Sequence, residues 1–349
     1  MFNDTSAVHS AVLSPGTYFL ELGIGVSDQG VAVPFDLTVT LSHYTGWSVL
    51  PTGQDRCYSG DTGEELIECP GVAGESSCAS TLLCGQDAQY SSEARTYSVR
   101  TIDDDTVVED PLTGLMWTAS YASCSAETWS DAISSCELLS FGGYSDWRLP
   151  AIDELSSIVD YGRFDPALDP SIFESYSRLV WSSTPVAFNS DVWKIYEDSG
   201  RQFADENPDG CVRCVRGDFW GQELEGRYVV SGSEELVFED QATGLIWQDA
   251  QADVDNWESA LSYCEQLTHG GHSDWRLPNI NELLTLVNKK LYTPASTFPG
   301  EITFPCSLWS STSYIDNEYG AFAWVVSLGG GGIERQRKED FNPRALCVR

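Results

Sequence analysis

The chain spells one phrase twice: "GYSDWRLPAIDEL" from Gly143 and "GHSDWRLPNINEL" from Gly271. The match runs on in order on both sides. Asp110-Pro-Leu-Thr-Gly-Leu-Met-Trp117 answers Asp240-Gln-Ala-Thr-Gly-Leu-Ile-Trp247. Trp129, Ala132, Ile133, Cys136 and Leu139 answer Trp257, Ala260, Leu261, Cys264 and Leu267. Trp181-Ser-Ser-Thr184 returns as Trp309-Ser-Ser-Thr312, and Arg213-Cys-Val-Arg216 as Leu346-Cys-Val-Arg349. Such ordered duplication commits the chain to folding one unit twice, over residues 98–217 and 228–349, with "DFWGQELEGR" (218–227) as the linker. Two copies of this length are too few and too long for a solenoid.

Within each copy the patterns predict a mixed unit. Trp257, Ala260, Leu261, Cys264 and Leu267 fall on one face of a helix, with Asp255 as its N-cap. A Gly-Gly break follows, then a second helix burying Ile280, Leu283, Leu286 and Val287, matched by Ile152, Leu155, Ile158 and Val159. "LVWSST", "DVWKIY" and "FAWVVSL" read as strands. The expected class is therefore α+β. Asn279 and Glu282 form a capping box, of which the first copy keeps only Glu154 because Ala151 takes the cap position. Trp147 and Trp275 read as core plugs. Arg148 and Arg276 are suited to gripping a carboxylate with both arms, from Asp146 and Asp274 or from the second-helix glutamates.

Composition narrows the setting. The 349 residues carry a net charge of −34, and no Lys or Arg precedes Arg56. Nucleic acid and anionic membrane surfaces are thereby disfavoured as partners. No apolar run approaches the roughly 20 residues of a bilayer span. "MFNDTSAVHS" has neither the basic start nor the apolar core of a signal peptide. Eleven cysteines, mostly in polar sequence, point instead to disulfides made in an oxidising compartment. The expected location is extracellular or on the cell surface.

The string "TGLMW…W…A…CELL…GGYSDWRLPAIDEL…WSST…VRCVRG" resembles the Lcl C-terminal domain family of exported bacterial proteins, and the likeness covers both copies. "LPTGQDRCYSGDTGEELIECPG…GQDAQY", within residues 46–97, is similar to a cysteine-containing lead-in that precedes such domains. The resemblance implies two tandem C-type-lectin-like domains with no enzymatic activity, preceded by a short all-β segment at 1–45 that resembles the last strands of a prepeptidase-type β-sandwich. The family is named for a collagen-like adhesin that binds sulfated glycosaminoglycans, a ligand class that a charge of −34 opposes here. The cysteines fit this picture: Cys136 with Cys214 and Cys264 with Cys347 tie first helix to closing strand, and Cys124 with Cys211 adds a bridge in the first copy. Cys57 with Cys69 and Cys78 with Cys84 are plausible local pairs among three possible pairings. Cys306 is left over, as a buried thiol or an intermolecular bridge. Residues 1–45 cannot complete a sandwich and are expected to pair with an earlier part of the chain, a neighbour or another copy.

Catalytic constellations are scarce. His269 and His272 form H-x-x-H beside Cys264, but the first copy has Phe141 and Tyr144 there. Cys211-Val-Arg-Cys214 lacks the context of a redox or zinc motif. Lectin-like oxidases that make formylglycine need reactive thiols, which the pairing uses up. No cofactor is expected, except calcium if Asp103, Asp104, Asp105 and Asp110, beside Glu109, gather their oxygens; a solvated hairpin turn is the competing reading. Loops after each WSST differ between copies, so Asn189, Asp191, Tyr196, Asp316, Asn317 and Tyr319 are the candidate ligand-binding residues. The functional expectation is a non-catalytic surface recognition or adhesion protein that meets carbohydrate or protein. A structural filament subunit is the alternative, and an oxidase relative the third.

Overall fold

The computed structural model describes residues 49–60, 66–69, 83–90, 95–124, 128–176, 178–205, 209–218, 227–233, 235–303, 306–316 and 320–349. The expectations placed on residues 1–45, Cys78, Asn317, Tyr319 and most of the linker lie outside these residues. Both copies belong to one unit, Thr45–Arg349.

The lead-in supplies a two-stranded ribbon, β1 (Arg56–Tyr58) and β2 (Leu66–Glu68), and a short 3-10 turn at Asp87–Gln89. The first copy opens with an antiparallel meander of β3 (Ser98–Ile102), β4 (Asp105–Glu109) and β5 (Met116–Thr118). Helix α1 (Trp129–Glu137) and the short α2 (Ile152–Ser157) follow. A second sheet holds β6 (Leu179–Pro185), β7 (Val192–Tyr196) and β8 (Gln202–Asp205), and β9 (Val215–Arg216) returns to pair with β5. The second copy repeats the order: β10 (Tyr228–Ser231), β11 (Val237–Asp240), β12 (Ile246–Gln248), α3 (Trp257–Gln266), α4 (Ile280–Leu284), β13 (Ser307–Tyr314), β14 (Phe322–Ser327) and β15 (Ile333–Arg337). Small antiparallel sheets and short helices make this an α+β unit.

The repeated words are repeated bonds. The WSST stretches sit where β6 and β13 slip register against β7 and β14. That slip frees their hydroxyls: Thr184 and Thr312 each accept the first amide of α2 or α4, Ile152 N or Ile280 N, at 3.0 Å. Trp147 and Trp275 are buried, and each indole donates to a backbone carbonyl, Phe141 O or His269 O, at 3.1 Å. Arg148 grips Glu154 at 2.7 and 2.6 Å, and Arg276 grips Glu282 at 2.6 and 2.5 Å. The alternative acceptors, Asp146 and Asp274, instead pair with the closing-strand arginines Arg216 and Arg349. Asn279 and Glu282 make the expected reciprocal cap, and Glu154 alone serves the Ala151 amide. Helix α3 starts one residue later than expected. Its cap is Asn256, whose side chain accepts Ser259 N at 2.9 Å, three residues on.

The Gly-Gly break is sterically required. Gly142 and Gly270 have φ of +58° and +59°, and a Cβ there would stand 2.6 Å from Val107 or 2.5 Å from Val237. Disulfides Cys136–Cys214 and Cys264–Cys347 join first helix to closing strand, and Cys124–Cys211 and Cys57–Cys69 also form. Cys84 is disulfide-bonded, and Cys306 is a buried free thiol. Each copy has its own tryptophan cluster around its helix–strand disulfide. A third cluster draws on both copies, with Tyr161 and Phe164 of the first meeting Trp324 and Tyr314 of the second at ring separations of 5.3 and 6.3 Å.

Candidate functional site

Two pieces of the lead-in lie as a strap along the second copy, the first of them also bonded to Tyr161 of the first copy. Thr52 O accepts Tyr161 N at 2.7 Å, and the Gln54 amide pairs with both backbone groups of Ser313 at 3.2 Å. Asn281, on α4, donates to Leu50 O at 2.8 Å. Further along, Thr312 donates its hydroxyl to Asp87 at 2.7 Å, and the Tyr90 ring lies 5.2 Å from the Arg276 guanidinium. The side chain of Asp87 is buried with one oxygen unbonded, and burial pushes its carboxyl up to about 6 despite the Thr52 and Thr312 hydroxyls. Arg276 and Glu282 act on it from α4 and its approach, with opposite signs.

A raised carboxyl binds its proton in the folded chain at pH values where the unfolded chain has released it. Its contribution to stability is thus complete below about pH 4 and is lost as pH rises through about 6. Replacing Asp87→Asn removes the charge, so the variant is expected to gain on the order of 2–3 kcal/mol relative to wild type between pH 4 and pH 7. Thermal unfolding of both proteins across that range checks it; parallel curves would sink the account.

Among the described residues, no part of the lead-in bonds to Thr184 at the corresponding place in the first copy. A cavity of about 570 Å³ lies between α2 and the end of β6 on one side and α4 with the residues after it on the other. Ser183, Thr184 and Asp153 stand where the second copy has Ser311, Thr312 and Asn281. Lys289 is buried and ties the two copies together, donating to the Gln202 side chain and to Gly331 O over the Trp193 ring, 3.9 Å away. Burial lowers its ammonium to about 8, against the field of Asp153, whose own carboxyl burial raises. Next in sequence to the lining residue Ala187, Phe188 stacks on Tyr292 of the other copy at 3.7 Å, and both rings remain about half exposed.

The residues proposed from sequence do not converge on this cavity. Asn189 and Asp191 bond to each other in the β6–β7 turn. Tyr196 stands at the far end of β7, because "PVAFNSDVWKIYEDSG" contains a whole strand and only its ends are loop. Asp316 is taken by Arg335 at 2.9 Å. Nor are the four proposed calcium aspartates brought together. Asp103 and Asp104 turn the β3–β4 hairpin with positive φ, Asp105 accepts Gly142 N at 2.8 Å, and Asp110 is buried against Arg95 at 2.5 Å. Among the described residues no cluster of three His, Cys, Asp or Glu is placed to hold a metal. His269 contacts Leu236 O and Asp249, outside any such group.

The cavity residues were missed for an identifiable reason. Asp153 lies in the stretch that reads as a second helix and Thr184 in "LVWSST", which reads as a strand, and nothing in the sequence shows that Asp87 meets Thr312 and not Thr184. Lys289-Lys290 did carry a signal, as an adjacent pair in a chain with four lysines and 53 acidic residues. Three of those lysines, Lys194, Lys289 and Lys338, are buried over indole faces at 3.7, 3.9 and 4.1 Å. Aromatic faces and carbonyls together replace much of the hydration each ammonium loses.

Among curated proteins none matches the chain. The family model of the Lcl C-terminal domain matches twice, over residues 106–216 and 236–349. Those segments contain the doubled tryptophan, arginine–glutamate and disulfide network in full, and the chain belongs to the Lcl C-terminal domain family, with two copies of that domain in tandem.

Proposed function

We propose that the chain is an exported bacterial surface recognition protein whose two lectin-like copies hold a ligand, without catalysis, in the cavity between them. The carrying observation is the cavity itself: about 570 Å³, within the range of small-ligand sites, with hydroxyls, the Asp153 carboxylate, the Asn281 and Asn288 amides and the cations Arg227, Lys289 and Lys290 among apolar side chains. Export is supported by the disulfides; no helix among the described residues is long and apolar enough to cross a membrane. A non-catalytic role is supported by the state of Cys306, the free cysteine among the described residues. Its thiol is buried and pushed up to about 11, far from the thiolate an oxidase needs.

The test is a screen of immobilised glycans and peptides against the purified chain and its Ala187→Trp variant. Ala187 is an exposed rim residue, so the indole obstructs the cavity without disturbing the core. Binding lost by at least tenfold in the variant is the expected result. Binding unchanged by the indole would move the site elsewhere. A structural filament subunit is the second reading, favoured by the exposed Phe188–Tyr292 pair beside exposed Leu291. Concentration-dependent polymerisation abolished by Phe188→Ser would support it.

A further inference from the structure

Resting on that reading, we infer that the cavity's ligand is a polypeptide segment presenting an aspartate or glutamate side chain, received by Thr184 of the first copy as Thr312 of the second receives Asp87 on its short turn.

The chain supplies the template. In the second copy, Thr312 accepts Ile280 N and passes its own hydrogen to Asp87 at 2.7 Å. In the first copy, Thr184 accepts Ile152 N with the same 3.0 Å geometry, and among the described residues its hydroxyl donates to nothing. It faces the cavity. A hydroxyl whose oxygen is already bound to an amide has its hydrogen left to offer, and the twin residue offers it to a carboxylate. The surrounding differences adjust the match without removing it. Asn281 donates to the strap carbonyl of Leu50, whereas Asp153 at that position accepts, and so suits an amide N–H of the incoming chain. Pro185 replaces Ser313 and has no N–H, so the side-chain amide pairing made by Gln54 loses one of its two bonds. Lys290, beside the buried Lys289, adds a cation to the cavity wall, which suits an acidic side chain on a chain of net charge −34. Val49 and Leu50, the start of the strap, already form part of the wall. An incoming peptide would therefore lie alongside the backbone of the strap.

The probe is the template itself: a synthetic peptide of residues 85–90, "GQDAQY", titrated into the whole chain by calorimetry, with "GQAAQY" as its partner. Saturable binding is expected, weakened about 10- to 100-fold in the alanine peptide, the worth of a hydrogen bond to a charged group. Thr184→Val should weaken "GQDAQY" by a similar factor, Thr184→Ser should restore it, and Ala187→Trp should abolish it. The peptide-side change leaves the protein untouched, so misfolding of the valine variant does not blunt the test. Equal binding of both peptides, or binding insensitive to Ala187→Trp, overturns the inference. If glycans bind and are displaced by Ala187→Trp while neither peptide binds, the inference fails and the cavity reading stands. If nothing binds at the cavity, both fail.

Discussion

Replacing Arg213→Leu is expected to destabilise the chain by roughly 3–5 kcal/mol, and adding Glu197→Leu to the same protein is expected to return most of that loss. Arg213 is fully buried and bonds Glu197 at 3.1 Å, Thr118 O and Ala119 O at 3.0 and 2.8 Å, and Glu174 O at 2.6 Å. Its guanidinium also lies over the rings of Tyr121 and Phe173, 4.6 and 5.4 Å away. Removing it alone leaves the buried Glu197 carboxylate with the Tyr121 and Ser175 hydroxyls but no counter-ion, and an unpaired interior charge is a large penalty. The second copy has already made both changes. Leu346 and Leu328 occupy the equivalent places, both fully buried, and Leu328 O accepts Ala295 N at 2.8 Å as Glu197 O accepts Ala167 N at 2.8 Å. One backbone therefore tolerates an ion pair or a pair of leucines, but not half of each. Denaturant unfolding of wild type, both single variants and the double gives the coupling directly. Additive losses would show that the carbonyls around Arg213, rather than Glu197, set its value.

Much of this architecture was legible because the duplication let each copy check the other. The arginine grip, the tryptophan plugs and the helix–strand disulfides recur at matched positions, and a feature that recurs at matched positions reads as framework. Where a carboxylate had two candidates, pattern alone gave no choice: Asp146 and Glu154 are both near Arg148 in sequence, and only the fold brings Arg216 to Asp146. The candidate ligand residues rest on a different cue, loops that differ between the copies, and those among the described residues do not line the cavity. The cavity arises from the opposite asymmetry. Matched residues, Thr184 and Thr312, differ in what covers them, and covering is a long-range contact: Asp87 lies 225 positions from Thr312. No local periodicity encodes that. The aspartates at 103 and 104 turn the β3–β4 hairpin with positive φ, a backbone role that the run of carboxylates does not by itself reveal.

Removing the Cys264–Cys347 bridge with paired alanines is expected to cost about 4–5 kcal/mol, against about 3 kcal/mol for the Cys57–Cys69 bridge. The sequence separations are 83 and 12, and a longer loop loses more freedom in the unfolded chain when it is closed. Packing points the same way. Cys264 and Cys347 are fully buried within the tryptophan cluster of the second copy, so the lost sulfurs also leave space beside Trp257 and Trp275. Equal losses at the two bridges would refute the loop-closure account. The shape of the transition carries a further consequence. Because Tyr161 and Phe164 of the first copy pack on Trp324 and Tyr314 of the second, a weakened second copy cannot unfold without exposing part of the core it shares with the first. The paired-alanine variant should therefore melt in one step at a lower temperature, with the signals of both copies falling together. Two resolved steps by calorimetry would mean that the copies are held to each other far less tightly than their shared aromatic core requires.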